Sequence, residues 1–134
     1  MKNKVLVIGA DHHNTLGIVE SLGQKGLNSY VLIVGENINS FVLKSRYVIE
    51  GWVCSLPEQV VDEMLKHFSD TKNKAIVYSS YDNVSSVLDS SVQRLSPFFI
   101  LPVTNISGSL ERKMSKEYMS DLAREVGLDV PRTW

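Results

Sequence analysis

The chain is poor in cysteine and in long apolar runs and has almost no excess of charge of either sign, and each shortage removes a class of explanation. Cys54 is its only cysteine, so no internal disulfide can form, and the neighbours Trp52, Val53 and Leu56 favour a packed thiol over a reactive one. The apolar run Val5-Leu6-Val7-Ile8 is broken by Gly9 and Asp11. That is too short for a signal-peptide core or a membrane span, so the expected location is cytoplasmic, with no membrane partner. Lys and Arg number 14 against 15 Asp and Glu, a net charge of -1, and no basic tract could neutralise a run of phosphates. Nucleic acid is therefore not an expected partner. Repeats, low-complexity tracts and linkers rich in Pro or Gly are also missing, and 134 residues suit one domain with a core that needs no metal or disulfide staple.

What is present alternates between two periodicities. Lys4 to Ile8, Tyr30 to Val34 and Lys74 to Tyr78 are short apolar runs rich in β-branched residues, the pattern of strands buried on both faces of a parallel sheet. Tyr47 to Val53 alternates less cleanly, as suits a strand nearer an edge, and Phe98 to Leu101 makes a short last strand closed by Pro102. Between them lie helical patterns. Leu16, Ile18, Val19 and Leu22 form one apolar face that ends near Gly23 to Gly26; Val60, Val61, Met64, Leu65 and Phe68 form a second, opened by Pro57 and Glu58. Val84, Val87, Leu88, Val92 and Leu95 form a third, for which Asp82 can serve as cap, and Phe41 to Lys44 can make a single turn. The alternation predicts an α/β domain, an open and mostly parallel sheet of about five strands flanked by helices.

In such sheets ligands collect beyond the carboxyl ends of the strands, where helix N-termini converge. Two loops fall there. Gly9-Ala10-Asp11-His12-His13-Asn14-Thr15-Leu16-Gly17 combines a backbone a ligand can approach with Asp, His and Asn side chains that donate and accept. It can equally be a polar turn capped by Asn14 or Thr15. Its glycines are too far apart for the dinucleotide fingerprint, so a fragment of an NAD-dependent enzyme is a faint third option. Asp11-His12-His13 is similar to the triplet of DHH phosphoesterases, but the other Asp and His motifs of that metal chemistry are missing. The second loop, Ser79-Ser80-Tyr81-Asp82-Asn83, offers a carboxylate that can bind an amine or cap the following helix. A receiver domain is excluded by the lack of paired acids after the first strand and of a lysine after the last.

The last stretch, Lys113 to Trp134, reads as a lysine-led helix. Ser115 can cap it, Tyr118, Met119, Leu122, Ala123 and Val126 recur at helical spacing, and Gly127 can end it; Pro131, Thr133 and Trp134 then suit the start of a strand. This ending predicts that residues 1–134 are the first domain of a longer polypeptide.

These segments together resemble the N-terminal, pre-ATP-grasp domain of ATP-grasp enzymes, with greatest likeness to the carbamoyl-phosphate-synthase-like and amino-acid-ligase branches. The likeness spans nearly the whole chain. Val5-Leu6-Val7-Ile8-Gly9 and Gly17 to Gly26 resemble the family's first strand, glycine and "s-L-G-x-x-G" helix. Ser45-Arg46-Tyr47 is similar to an S-R-Y element of this branch, and Ser80-Tyr81-Asp82 to a segment that often carries an acid after the fourth strand. Lys116, then Leu122-Ala123, then Gly127-Leu128-Asp129-Val130-Pro131-Arg132-Thr133 resembles "D-K, five residues, L-A, G-hydrophobic-x-x-P-x-T", with Ser115 in place of the family's Asp.

The resemblance implies a Rossmann-like three-layer fold, with residues 115–134 leading into an ATP-grasp domain further along the polypeptide. It implies an ATP- and magnesium-dependent ligase that activates a carboxylate as an acyl phosphate and joins it to an amine or similar nucleophile. Lys116 would reach toward ATP phosphate. Gly9, Asp11, His12, His13, Asn14 and Asp82 would wall the substrate pocket. Partners would be the rest of the polypeptide and the small substrates, with a homodimer left open; residues 1–134 alone would be inactive, and magnesium ligands would lie past Trp134. The rival of another class is a stand-alone module that holds a small anion or nucleotide on the same rim.

Overall fold

The computed structural model describes residues 3–70, 72–103 and 108–130. Five strands, β1 (Val5–Gly9), β2 (Ser29–Val34), β3 (Val48–Cys54), β4 (Ala75–Ser79) and β5 (Phe99–Ile100), form one sheet in the order β3-β2-β1-β4-β5. Every pairing is parallel. The helices are α1 (His13–Gly23), α2 (Val60–His67), α3 (Asp82–Ser90), α4 (Val92–Leu95), α5 (Ser109–Met114) and α6 (Lys116–Glu125). Single 3-10 turns occupy Val42–Lys44 and Pro57–Gln59.

Successive side chains of a strand point to opposite faces, and the two faces of this sheet carry two cores. Leu6 and Ile8 of β1, with Leu32, Val34, Cys54 and Val77, pack under Val60, Val61 and Met64 of α2 and Val84 and Leu88 of α3. Val5 and Val7, with Val31 and Ile33, pack under Val19 of α1 and Val42 of the β2–β3 crossover. β1 is consequently buried along its whole length, as its unbroken apolar sequence requires. The second core stops short: on the α1 side of β4 and β5, Tyr78 and Ile100 are 42% and 50% exposed.

Differences from the sequence reading have local causes. The helix expected through Val84 to Leu95 is divided at Ser91, whose backbone (φ -108, ψ 12) leaves the helical region. Just before it, Ser90 Oγ donates to Val87 O at 3.0 Å, the local competition by which serine weakens helix interiors. Asp82 is the first helical residue of α3 and its acid sits in the first turn; the cap position falls to Tyr81, which makes no side-chain cap bond. α1 is capped by His12, whose Nδ1 accepts from Asn14 N at 3.3 Å, in place of Asn14 or Thr15. The last strand shrinks to two paired residues between Pro97 and Pro102. The lysine-led helix begins earlier, as α5, and is interrupted at Ser115, which turns extended (φ -62, ψ 125) and accepts from Tyr118 N at 3.4 Å as the cap of α6. Gly127 takes φ 77 after α6, as expected of a helix stop. The strand start expected around Thr133 and Trp134 lies outside the described residues.

Leu6 is 1% exposed. Truncating Leu6→Ala is expected to cost about 2–5 kcal/mol, and Leu6→Asp, which buries an unpaired carboxylate, should abolish the cooperative urea transition. A Leu6→Asp variant with a near-normal midpoint would refute the placement of β1 at the centre of the sheet.

Candidate functional site

β1 pairs with β2 on one side and with β4 on the other, so the chain's progress through the sheet reverses between β1 and β4. This is where open α/β sheets leave a crevice beyond their strands. Its walls are the β1–α1 loop and the start of α3.

The floor of that crevice is filled by the protein itself. Thr15, fully buried, donates its one hydroxyl proton to Ala10 O at 2.7 Å and so accepts from Ser80 Oγ at 2.8 Å. Ser80 N in turn donates to Ile8 O at 3.0 Å, extending the β1–β4 ladder past the strand end. Gly9 lies directly beneath: a Cβ there would stand 2.1 Å from Ser80 Oγ and 2.4 Å from Thr15 Oγ1. The glycine is needed because two hydroxyl side chains close over the backbone. That closure leaves no room for a pyrophosphate to reach Gly9, a second reason besides the spacing to set dinucleotide binding aside.

Asp11 is turned away from the crevice toward the β2–β3 crossover. Its Oδ1 accepts from Ser40 Oγ at 2.5 Å and from Val42 N at 3.3 Å, and its Oδ2 accepts from Asn37 Nδ2 at 3.3 Å. With Ser40 buried, these bonds tie the crossover to the first loop. His12, His13 and Asn14 are exposed along the opening of α1, with the His13 ring 5.5 Å from His12 and 5.7 Å from Phe41. Asp82 is exposed on the neighbouring helix, where the positive end of α3 favours its carboxylate. The rim therefore presents two imidazoles, an amide and an acid over a hydroxyl floor. Thr15 and Ser80 lie in the two loops singled out from the sequence, but their pairing escaped sequence reasoning, since a Thr in a polar turn and a Ser in a serine pair carry no distinguishing spacing; the role of Ser40 escaped for the same reason.

Lys116 stands apart. It is exposed in the first turn of α6, which packs beside α5, and α5 packs beside α3. Two other segments that carry the family likeness meet each other elsewhere. Ser45 Oγ donates to Glu20 Oε1 at 2.6 Å, and the Tyr47 ring occupies the space a side chain on Gly23 would need, its Cγ 2.1 Å from where a Cβ would be. Arg46 covers that ring at 4.7 Å and donates to Tyr47 Oη at 2.6 Å. The S-R-Y element and the glycine of α1 are one structural clasp.

Among the described residues, no group of three or more His, Cys, Asp or Glu could hold a metal ion, and no helix is long and apolar enough to cross a membrane. At the far end of the sheet, a recess of about 490 Å³ is lined by Lys4, Phe68, Asp70, Asn73 and Phe98. The backbone N–H of Lys72 and that of Asn73 hold the Asp70 carboxyl below its usual range, and Lys4 Nζ lies 5.4 Å from the Tyr30 ring. Burial, reinforced by the Glu63 carboxylate, pushes the Cys54 thiol up. Compared with protein-family models and with curated proteins, the sequence matches none.

Two outcomes follow from this geometry. Gly9→Ala should destabilise the protein by about 1–3 kcal/mol in urea denaturation, because Thr15 and Ser80 must both give way. Cys54 should react with a thiol reagent more slowly in the native protein than after unfolding, near the ordinary thiol pKa of about 8.5; equal rates would contradict its burial.

Proposed function

We propose that the chain is the N-terminal domain of a cytoplasmic ATP-grasp ligase, in which a carboxylate is activated by ATP and joined to an amine or similar nucleophile. The observation that carries this reading is helix α6. Its cap, Ser115, satisfies only one of the first-turn N–H groups, that of Tyr118, and the next residue is a lysine. A cation at the positive end of a helix gains nothing from the dipole unless an anion arrives to share it. A phosphate is such an anion.

Two uncovered apolar surfaces support the same reading. Met119, Leu122 and Val126 of α6 are exposed, and so are Tyr78 and Ile100 on the sheet. Parallel sheets and amphipathic helices ordinarily have such faces covered, and a following ATP-grasp domain would cover them.

ATP with magnesium supplies the phosphoryl group and the neutralising charge for its transfer. On this reading the magnesium ligands belong to the remainder of the polypeptide. The chain's own share is binding and orientation. Lys116 Nζ would neutralise a phosphate oxygen as charge moves onto it. His12, His13 and Asn14 offer hydrogen-bond donors to a carboxylate on the rim, and Asp82 offers an acceptor to an incoming amine. Gly9 shapes the floor, and Asp11 holds the wall in place through Ser40.

The first test is the reading frame downstream of Trp134. Continuation into a glycine-rich phosphate loop and late Glu and Asn metal ligands is the expected result; a stop codon directly behind Trp134 would overturn the ligase reading and favour the stand-alone anion- or nucleotide-binding module. In the full-length protein, Lys116→Ala should raise the KM for ATP roughly ten- to a hundredfold, the equivalent of about 1.5–3 kcal/mol for a lost bond to a charged group. An unchanged ATP dependence would reduce Lys116 to a solvated surface residue.

A further inference from the structure

The two edges of the sheet are built differently. β5 has two paired residues between Pro97 and Pro102, and short strands flanked by proline are how proteins keep an edge from pairing. β3, at the other edge, runs for seven residues, Val-Ile-Glu-Gly-Trp-Val-Cys, without lysine or proline. Its one irregularity is at the start, where the register with β2 skips Ile49, and from Glu50 to Cys54 the strand is regular. Ile49 is 54% exposed.

The direction of its unused hydrogen bonds can be read from the ladder. Gly35 N donates to Cys54 O at 2.8 Å, so Cys54 faces β2. In a parallel strand the N–H and C=O of one residue point the same way and alternate along the chain. Cys54, Trp52 and Glu50 accordingly bond inward, while Val53 and Gly51 direct both groups outward, and Ile49 has no ladder partner in β2.

We propose that β3 pairs antiparallel with β3 of a second copy about a two-fold axis through Gly51, joining the two sheets into one. The strand's own pattern selects this occupant and this register. Gly51 is the midpoint of Val48–Cys54, so pairing about it overlaps the strands completely. It sets Gly51 against Gly51 and the unpartnered Ile49 against the outward-bonding Val53, for up to about six inter-strand hydrogen bonds. On one face Ile49 meets Val53, a β-branched pair; on the other, Glu50 meets Trp52, and the only charged residue of the strand avoids its own copy. Shifting the axis by one residue toward the N-terminus would oppose the two Glu50 carboxylates. The interface is isologous and closes at two copies. It does not depend on the nucleotide reading.

Sedimentation velocity and amide exchange across a dilution series test it. The expected result is a two-chain mass at high concentration, with the Gly51 and Val53 amides exchanging at least about tenfold more slowly than at high dilution, while Trp52 and Cys54, bonded to β2 already, do not change. Val53→Pro removes an outward donor and leaves the β2 ladder intact, so the variant should be monomeric with an unaltered far-UV spectrum. Should that variant fail to fold, Ile49→Lys, a cation on the same edge, should also give a monomer. A single-chain mass at every concentration would overturn the proposal. So would a dimer whose Gly51 and Val53 amides exchange no more slowly, or one that survives in whichever variants fold.

Discussion

The structure depends on the burial of β1. Its five residues bond to β2 on one edge and β4 on the other, and its side chains supply the middle of both cores, Leu6 and Ile8 on one face and Val5 and Val7 on the other. Each such side chain is worth about 1.5–3 kcal/mol when withdrawn from water. β2 also feeds both layers, but β1 is the central strand of the sheet, and everything on the rim takes its position from where β1 ends. Ile8 O receives Ser80 N, which places the β4–α3 loop beside the β1–α1 loop and creates the crevice.

A second constraint governs the long crossover from β2 to β3. A parallel connection must pass over a face of the sheet, and here much of it is a loop with one 3-10 turn, which has little helical hydrogen bonding of its own. It is fastened by side chains. Asp11 grips Ser40 and the Val42 amide, Glu20 accepts from Ser45, and Tyr47 seats on Gly23. A polar residue after the first strand can thus serve architecture as readily as chemistry. In this loop the division is visible: Asp11 is committed to the crossover and His12 Nδ1 to the cap of α1, while the side chains of His13 and Asn14 are exposed.

The same economy appears at glycine. Gly9 resembles a ligand-approach glycine in sequence, but the atoms that need its missing side chain are Thr15 and Ser80. Gly23 likewise makes room for a tyrosine ring. A close approach between two parts of one chain and a close approach between chain and ligand demand the same residue, and only the distances distinguish them. The apolar faces left open on α6 and on β4 and β5 show where the packing among the described residues stops.

Periodicity was sufficient for much of the fold. Continuous β-branched runs identify β1, β2 and β4 because strands buried on both faces have no polar side to interrupt them, and the weaker alternation of Tyr47 to Val53 marks an edge strand, which is where β3 lies. Ser115 and Gly127 were legible as helix punctuation because capping is a local interaction. What local pattern could not supply was partnership. That Asp11 faces Ser40 and that Thr15 meets Ser80 across 65 positions of sequence are matters of strand order and crossover path. Residue type and spacing determine which backbone each segment prefers; which side chains then meet is decided only when the sheet assembles, since hydrogen bonds and close contacts act over a few ångströms of space and are indifferent to distance along the chain.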